Sequence, residues 1–527
     1  MPIIITQIKG RLSEPEDSVI SHALKMAGIF KSDTVKTAIY KTSLDARKQN
    51  DIHFVHSVYA ELKEPESERI IGEKKFCKYI EKKEIAPQIS EKKENGRVVI
   101  AGFGPAGMFC GLLLAENGYR PVILERGECI DKRVSSVNRF WKTGKLDLES
   151  NVQFGEGGAG TFSDGKLTTR INDPLCRYVL ERFVQFGAPH EILTKAKPHI
   201  GTDKLRDIVK AIRMRIEELG GEVRFSTRLD DIEMKNHRAV CARASGQCVE
   251  TAALVLALGH SARDTFEMLC RKNMLLQPKP FSVGVRIEHR QDDVDYSLYG
   301  KHKDNPMLPA GEYQLSHRNP DGRAVYTFCM CPGGTVVPAA SEAGGVVTNG
   351  MSEFARCGEN ANAAIAISVS EKDYGSGILD GVEFARKIER LAYSCGGGEY
   401  IAPACTVGGF LDGSPSVKTS LNPTYERGIV PCEFRNIFPP AVTGMLETGL
   451  RRFAGKMKCF NSRDGLMTAP ETRTSSPVRI MRSDNMTALS YENIYPCGEG
   501  AGYAGGIMSA AVDGIKTALE IMKSIAP

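Results

Sequence analysis

The sequence contains no run of about 18 apolar residues, the length a helix needs to cross a bilayer, so nothing in its 527 residues reads as a membrane span. Its start, Met1-Pro-Ile-Ile-Ile-Thr-Gln-Ile8, lacks a basic stretch ahead of an apolar one and does not read as an export signal. Charge of one sign is scarce as well. Lys and Arg number 69 against 64 Asp and Glu, and no basic stripe tracks along the chain as nucleic-acid binding requires. The 15 cysteines form neither Cys-x-x-Cys nor Cys-x-x-x-x-Cys pairs, which excludes the common dithiol and iron–sulfur spacings. With no export signal they read as reduced thiols of a cytoplasmic protein. Repeats and low-complexity tracts are missing too.

Glycine is in excess: 52 residues, roughly a tenth of the chain against about 7% on average. Many of them fall in a few dense loops, where a backbone turns sharply or lies against a ligand. The length exceeds what one core supports, so several domains are expected. The first part predicts a small α+β unit, with strands at 3–8, 35–42 and 53–62 and a helix at 17–26. A polar stretch from Lys82 to Gly96, containing Pro87, reads as a linker. Residues 1–96 hold 17 basic and 15 acidic side chains, so this unit gives no nucleic-acid signal. His53 and His56, three apart in a strand, face opposite sides and read as surface residues rather than metal ligands; no metal site is expected.

After Arg97 strands and helices alternate. A helix is expected at 203–219, ended by Gly220-Gly221, with a strand at 222–225. Strands are expected at 238–243, 247–251 and 251–258, and the chain turns strand-rich from about Pro278.

Gly-x-Gly-x-x-Gly is a weak signal, and it occurs three times: Gly102/Gly104/Gly107, Gly155/Gly157/Gly160 and Gly500/Gly502/Gly505. Only the first follows an apolar strand, Arg97 to Ala101, and opens a helix, Ala106 to Asn117. A second strand, Pro121 to Glu125, completes a βαβ unit. Glu125 lies 18 residues beyond Gly107, near the separation of roughly 20 expected for an acid on the adenosine ribose. In this reading Gly102 makes the tight turn, Gly104 admits the pyrophosphate, and Gly107 lets helix and strand pack closely, with Pro105 and Ala106 at the helix N-terminus that faces the phosphates. Arg133, after the second strand, is a further pyrophosphate candidate.

The other two clusters cannot be complete nucleotide folds. Asn151 to Leu167 has no helix pattern behind it, and its bare backbone (Gly157, Gly158, Gly160, Thr161, Ser163, Leu167) is assigned to the neighbourhood of a flat ring; the alternative is a surface loop. The third, Gly498 to Ile507, stands too near the end for a second strand. Its Gly505-Gly506-Ile507 turn feeds a last helix, and its N–H groups can face a ligand. A dinucleotide served by three glycine clusters points to FAD, held non-covalently.

Gly102-Phe-Gly-Pro-Ala-Gly107, Glu125-Arg126-Gly127, Ala257-Leu-Gly259 and Gly498-Glu499 resemble the FAD domain of glutathione-reductase-type flavoproteins. There the last motif is usually Gly-Asp, whose acid binds the ribityl chain; here Glu499 stands in its place. Phe140 to Gly144, Gln153 to Leu167, Lys197 to Asp203, Phe328 to Gly334, Pro470 to Pro477 and Gly498 to Gly514 resemble a bacterial family of FAD-dependent proteins, or uncharacterised FAD-dependent dehydrogenases. That resemblance implies an α/β fold: a discontinuous Rossmann-like FAD domain (97–278 and 461–527), an inserted β-rich substrate domain (279–460), and the small α+β domain (1–83) before a linker (84–96). It also implies that Gly259 and Arg126 belong to the cofactor site.

Catalytic residues are not specified. Cys329 and Cys331, two apart in a strand, share a face; buried cysteines acting as small hydrophobes is the commoner case. Arg473, in the proline-bounded segment 470–477, has the geometry to bind a carboxylate or phosphate, and a solvated loop is the alternative. The leading expectation is an FAD-dependent oxidoreductase transferring a hydride between flavin and a small molecule, with NAD(P)H as a transient donor because no second βαβ site exists. Two rival expectations are a flavin-dependent RNA-modifying protein and a non-catalytic redox sensor built on Cys329 and Cys331.

Overall fold

Five strands lie parallel in the order Glu222–Arg224, Val122–Leu124, Arg97–Ala101, the second half of Gln247–Leu256, and Ile494–Pro496. These are near-continuous apolar runs, as parallel strands covered on both faces must be. Val98, Ile100, Ile123 and Val255 pack against the helices Pro105–Glu116, Thr202–Glu218 and Ile507–Ser524. Val99, Val122, Leu124, Leu254 and Leu256 face Leu229, Ile232 and the helix Arg263–Arg271 on the other side. A computed structural model describes residues 2–63, 75–80 and 85–527.

The strands expected at 247–251 and 251–258 are one strand, Gln247–Leu256. Its first residues pair antiparallel with Arg238–Ala244, and the rest pair parallel with Arg97–Ala101. Cys241 and Cys248 stand diagonally across that hairpin, opposite Glu250 and Arg243, and are joined as a disulfide, which corrects the expectation that every cysteine is a reduced thiol. Adjacent antiparallel strands bring two cysteines seven residues apart within bonding range, a proximity that spacing along the chain does not show.

A second sheet has the order Ser316–Arg318, Ala324–Cys331, Asn360–Val369, Phe281–Arg290, Leu466–Glu471, Ala402–Thr406, Ile429–Pro431. Its central strand alternates. Phe281, Val283, Val285 and Ile287 join the core with the helices Asp380–Cys395 and Pro440–Ala454, while Ser282, Arg286 and Glu288 point to the opposite face. Leu466–Glu471 belongs to this sheet, paired with both Phe281–Arg290 and Ala402–Thr406. The expected boundary at 460/461 therefore falls too early. The chain returns toward the parallel sheet through Val478–Ile480, which pairs with Leu276–Pro278, the outgoing connection.

The N-terminal unit is a four-stranded sheet, in the order Thr34–Asp45, His53–Leu62, Pro2–Gly10, Cys77–Tyr79, packed on the helix Glu16–Ala27. His56 is buried and shares a 3.0 Å hydrogen bond with Thr42, so it is not the surface histidine expected. The unit touches the remainder at Thr42, whose N–H donates to Thr194 O at 2.7 Å, at Gln49, whose Nε2 donates to Ser297 O at 3.0 Å, and at Tyr40, whose ring lies under Arg177. The expected boundary at 83/84 lies outside the described residues. From residue 85 the chain runs along the last helix rather than free of it: the Ser90 N–H donates to Met522 O and the Ala526 N–H to Lys92 O. No helix among the described residues is long and apolar enough to cross a membrane.

Candidate functional site

Two bare helix N-termini open on one cleft. Gly102, at φ 103°, ends the Arg97–Ala101 strand, and a Cβ there would stand 2.3 Å from Ala257 O. At Gly107 a Cβ would stand 2.0 Å from Gly102 O. Both positions are held to glycine by packing. At Gly104 a Cβ would meet only Gly158 Cα, at 3.8 Å, and at Gly505 and Gly506 it would meet nothing within 4 Å. Those three glycines form an open rim.

The helices that begin beside them, Pro105–Glu116 and Ile507–Ser524, have no side-chain cap at the N-cap residue, so first-turn N–H groups and the positive end of each helix dipole are left for a ligand. The helices pack so closely that a Cβ on Gly514 would stand 2.1 Å from Ala106 O. Gly102, Gly104, Pro105, Ala106, Gly259, Gly505, Gly506 and Ile507 all line the cleft, whose volume is about 1720 Å³. Ligand sites commonly occupy about 300–1,000 Å³. This cleft has room for a dinucleotide and a second molecule.

Glu125 is buried, with Oε2 accepting the Phe103 N–H (2.8 Å) and Oε1 accepting the Gly127 and Gly155 N–H groups (both 2.9 Å). The carboxylate ties three loops together at the cleft wall and keeps a lone-pair direction free for a hydroxyl donor. Arg126 lies 4.2 Å over the Phe154 ring and is paired with Glu149 and Asp264. It lines the cleft as a fixed group.

Arg133 is placed otherwise than expected. It is fully buried, its guanidinium donating to the carbonyls of Asn151, Val152, Gly155, Glu156 and Gly158. It shapes the glycine loop from behind and has no path to a pyrophosphate. The loop itself departs from its expected role in part. Gly155 and Gly157 are bare because a Cβ would strike Arg133 Cδ (2.3 Å) and Thr161 Oγ1 (2.2 Å), and the Gly157 N–H donates to Phe103 O. Gly157, Thr161 and Leu167 are buried behind the wall; Gly158, Gly160 and Ser163 line it.

Gly498 is also behind the wall, its N–H donating to the Asp513 carboxylate at 2.7 Å, while Glu499 lines the cleft 3.8 Å from His260 Nδ1. His260 Nε2 is buried with no partner among the described residues. Arg473 corrects another expectation. Its Nε and Nη2 donate to Glu389, which also binds Arg263 and Thr472. Burial and then the neighbouring Arg263 push it down to about 10. Only Nη1 is unpartnered, so no bidentate anion site is free.

Opposite the glycine rim, the second sheet supplies Ser282, Tyr326, Phe328 and Cys329. Ser282 Oγ and Tyr326 Oη share a 2.8 Å hydrogen bond. Deeper lie Asp164, Lys166, Glu312 and Arg356, joined by Lys166–Glu312 at 3.0 Å and by an Arg356–Asp164 pair. Burial would raise the Glu312 carboxyl, but Lys166, Lys197 and Arg356 outweigh it and hold it at about 2. Cys329 stands at this wall; Cys331 is buried behind it. His260 follows directly on Gly259 and was within reach of motif reasoning. Glu312 and Tyr326 sit in no motif, and only the meeting of the two sheets reveals them.

Residues 280–474 match a family described as FAD-dependent protein, C-terminal domain-like, a range that spans the second sheet from Phe281 to Glu471. An uncharacterised protein of Clostridium beijerinckii is 45% identical over 527 residues, covering 99% of each chain. The chain belongs to this family of FAD-dependent proteins. Among solved structures it is similar to NikD, an amino acid oxidase of nikkomycin biosynthesis (13% identity, 82% of this chain and 95% of that one, TM-score 0.37), and to glycine oxidase from Bacillus cereus (10% identity, 82% and 95%, TM-score 0.29). It is also similar to a geranylgeranyl bacteriochlorophyll reductase-like protein from Thermoplasma acidophilum (11% identity, 81% and 78%, TM-score 0.36). Likeness at that level bears on neither substrate nor reaction. The residues of the cleft fit the cofactor that the family implies: an open glycine rim that a Cβ would fill, an uncapped helix N-terminus at Pro105 for a pyrophosphate, a second at Ile507 for the far end, and the buried carboxylate of Glu125 for a ribose.

Proposed function

We propose that the cleft binds FAD non-covalently and that the protein is an oxidoreductase exchanging a hydride with a small molecule held between the glycine rim and the strand Ala324–Cys331. Bound FAD supplies the two-electron chemistry. The chain's own residues bind and orient. The N-terminus of Pro105–Glu116, with Gly104, receives the pyrophosphate, and Glu125 accepts from the ribose hydroxyls. Gly505, Gly506 and the N-terminus of Ile507–Ser524 favour negative charge at the far end of the cofactor. Glu499, in the position where the resembling flavoproteins carry an aspartate, is assigned to the ribityl chain. In this reading the FAD-binding unit is discontinuous and glutathione-reductase-like, closed by the last helix, and the second sheet carries the substrate side.

The observation that carries the reading is that two helix N-termini, from segments 400 residues apart, converge with open glycine positions on one cleft. NAD(P)H enters as a visiting donor, since no second βαβ unit is found among the described residues. Anaerobic addition of NADH or NADPH to the purified holoprotein should bleach its visible flavin absorbance. Absorbance unchanged by both, with dithionite bleaching it normally, would rule out the nicotinamide donor and leave a substrate dehydrogenase.

A further inference from the structure

Cys329 occupies an unusual place in the strand that walls the cleft. The ladder with Asn360–Val369 is regular through Phe328, shifts register, and resumes at Cys331, a β-bulge of the kind common beside active sites. Within it Cys329 takes φ 43°, a left-handed conformation that a side-chain-bearing residue adopts only when its surroundings enforce it. They do so here. The buried Arg286, held by Glu471 through two 3.1 Å hydrogen bonds, donates to Cys329 O at 3.1 Å and to Asn362 Oδ1 at 2.7 Å. The Cys331 thiol also donates to Cys329 O, at 3.3 Å. The bulge turns the half-buried Cys329 to the cleft and leaves Cys331 enclosed behind it.

The two thiols are chemically unequal. Hydrogen bonding from Cys331 lowers the Cys329 thiol below the ordinary range against the opposing effect of burial, and Arg286 and Lys166 add to the lowering. The hydrogen bond to Cys329 and burial raise the Cys331 thiol. A low thiol facing the cleft, backed by an enclosed high one, is the division of labour of an attacking and a resolving cysteine. Residues two apart in an extended strand have Cα atoms about 6.6 Å apart, within the roughly 4.4–6.8 Å that a disulfide spans.

We propose that Cys329 and Cys331 form a dithiol couple that reduces low-molecular-weight disulfides in the cleft. The Cys329 thiolate attacks one sulfur of the substrate, forming a mixed disulfide and expelling the other half as thiolate, which takes the Cys331 proton. Cys331 then attacks Cys329 Sγ, closing the intramolecular bond and releasing the second half, which leaves as a thiol with a proton from water. One substrate disulfide becomes two thiols, and the protein dithiol becomes one disulfide. The cleft carries three cations, Lys166, Lys197 and Arg356, against the two acids Glu312 and Asp164, and that excess of one positive charge suits a disulfide bearing carboxylates. Returning the pair to the dithiol takes two electrons and two protons, the equivalents a reduced flavin carries; that return, and nothing before it, rests on the proposed cofactor.

The holoprotein treated with glutathione disulfide, alkylated, digested and weighed should give a peptide containing both cysteines lighter by two hydrogens. Cys331→Ser should instead retain glutathione on Cys329, and Cys329→Ser should show neither product. The exposed Cys357 is the internal control. Glutathione on Cys357 while Cys329 and Cys331 of the wild type remain reduced overturns the proposal, even should the variants fail to fold. FAD content is read from the same samples. Thiol exchange in protein that binds no flavin would sink the cofactor reading and leave the couple standing.

Discussion

Arg133 donates to five backbone carbonyls and forms no ion pair with a carboxylate among the described residues. Removing it leaves those carbonyls buried without a donor, and leaving a buried acceptor unsatisfied costs about 1–3 kcal/mol. Arg133→Met should lower the unfolding free energy by about that amount and release bound FAD together with it, checked by chemical denaturation with flavin fluorescence as a second probe. Glu312 carries a different signature. Its folded-state acidity, about 2, lies below the roughly 4.3 of an unfolded glutamate. Its contribution is therefore complete above the unfolded value and is lost as pH falls from there toward 2. The stability gap between wild type and Glu312→Gln should be full at pH 7 and narrow steadily below about pH 4. A gap that widens on acidification would contradict the Lys166–Glu312–Arg356 arrangement. Single residues were unevenly legible in the sequence. The spacing of Gly102, Gly104 and Gly107 encoded their roles because each is a local backbone requirement. Nothing local distinguishes an arginine that faces a ligand from one that, like Arg133, faces carbonyls 18 to 25 residues ahead.

Among the elements, the helices fell close to their expected bounds, since apolar spacing and terminal glycines mark them: Thr202–Glu218 against 203–219, and Glu16–Ala27 against 17–26. The strand ending at Leu256 was split in expectation, because a change from antiparallel to parallel pairing leaves no mark in composition. The glycine loop at 151–167 was read as bare for a ligand's sake, whereas much of it is bare for Arg133 and Val209; glycine serves close approach to protein as readily as to cofactor. At the last helix the two causes separate. Since a Cβ on Gly505 meets nothing in the protein, Gly505→Val should leave the thermal midpoint of FAD-free protein within a degree or two. Clashes from overpacking run about 1–3 kcal/mol, so FAD should bind about 5- to 150-fold more weakly to the variant, measured by equilibrium dialysis. An equal loss of stability in the FAD-free protein would mean that the position is structural.

At the scale of the whole molecule, the cleft exists because two sheets with different habits meet. The parallel sheet ends in glycine turns with their helices behind it, and the alternating second sheet turns its polar face, Ser282 and Tyr326, toward them. The outgoing and returning connections cross side by side as Leu276–Pro278 and Val478–Ile480. Motif reading located the first wall, which depends on contiguous residues, and found of the second only Cys329, because Glu312 and Tyr326 join Lys166 around the cleft only through tertiary folding. A ligand that fills such a junction stabilises both sides. FAD in hundredfold excess over its dissociation constant should add about 2.7 kcal/mol to the unfolding free energy, seen as one cooperative transition moving upward with FAD concentration. The most direct test of the central claim is the flavin content of the purified protein. Acid or heat should release FAD, identified by mass, at one mole per mole of chain, or FAD-free protein should take it up to that ratio. A colourless protein that takes up no FAD on reconstitution would contradict the account.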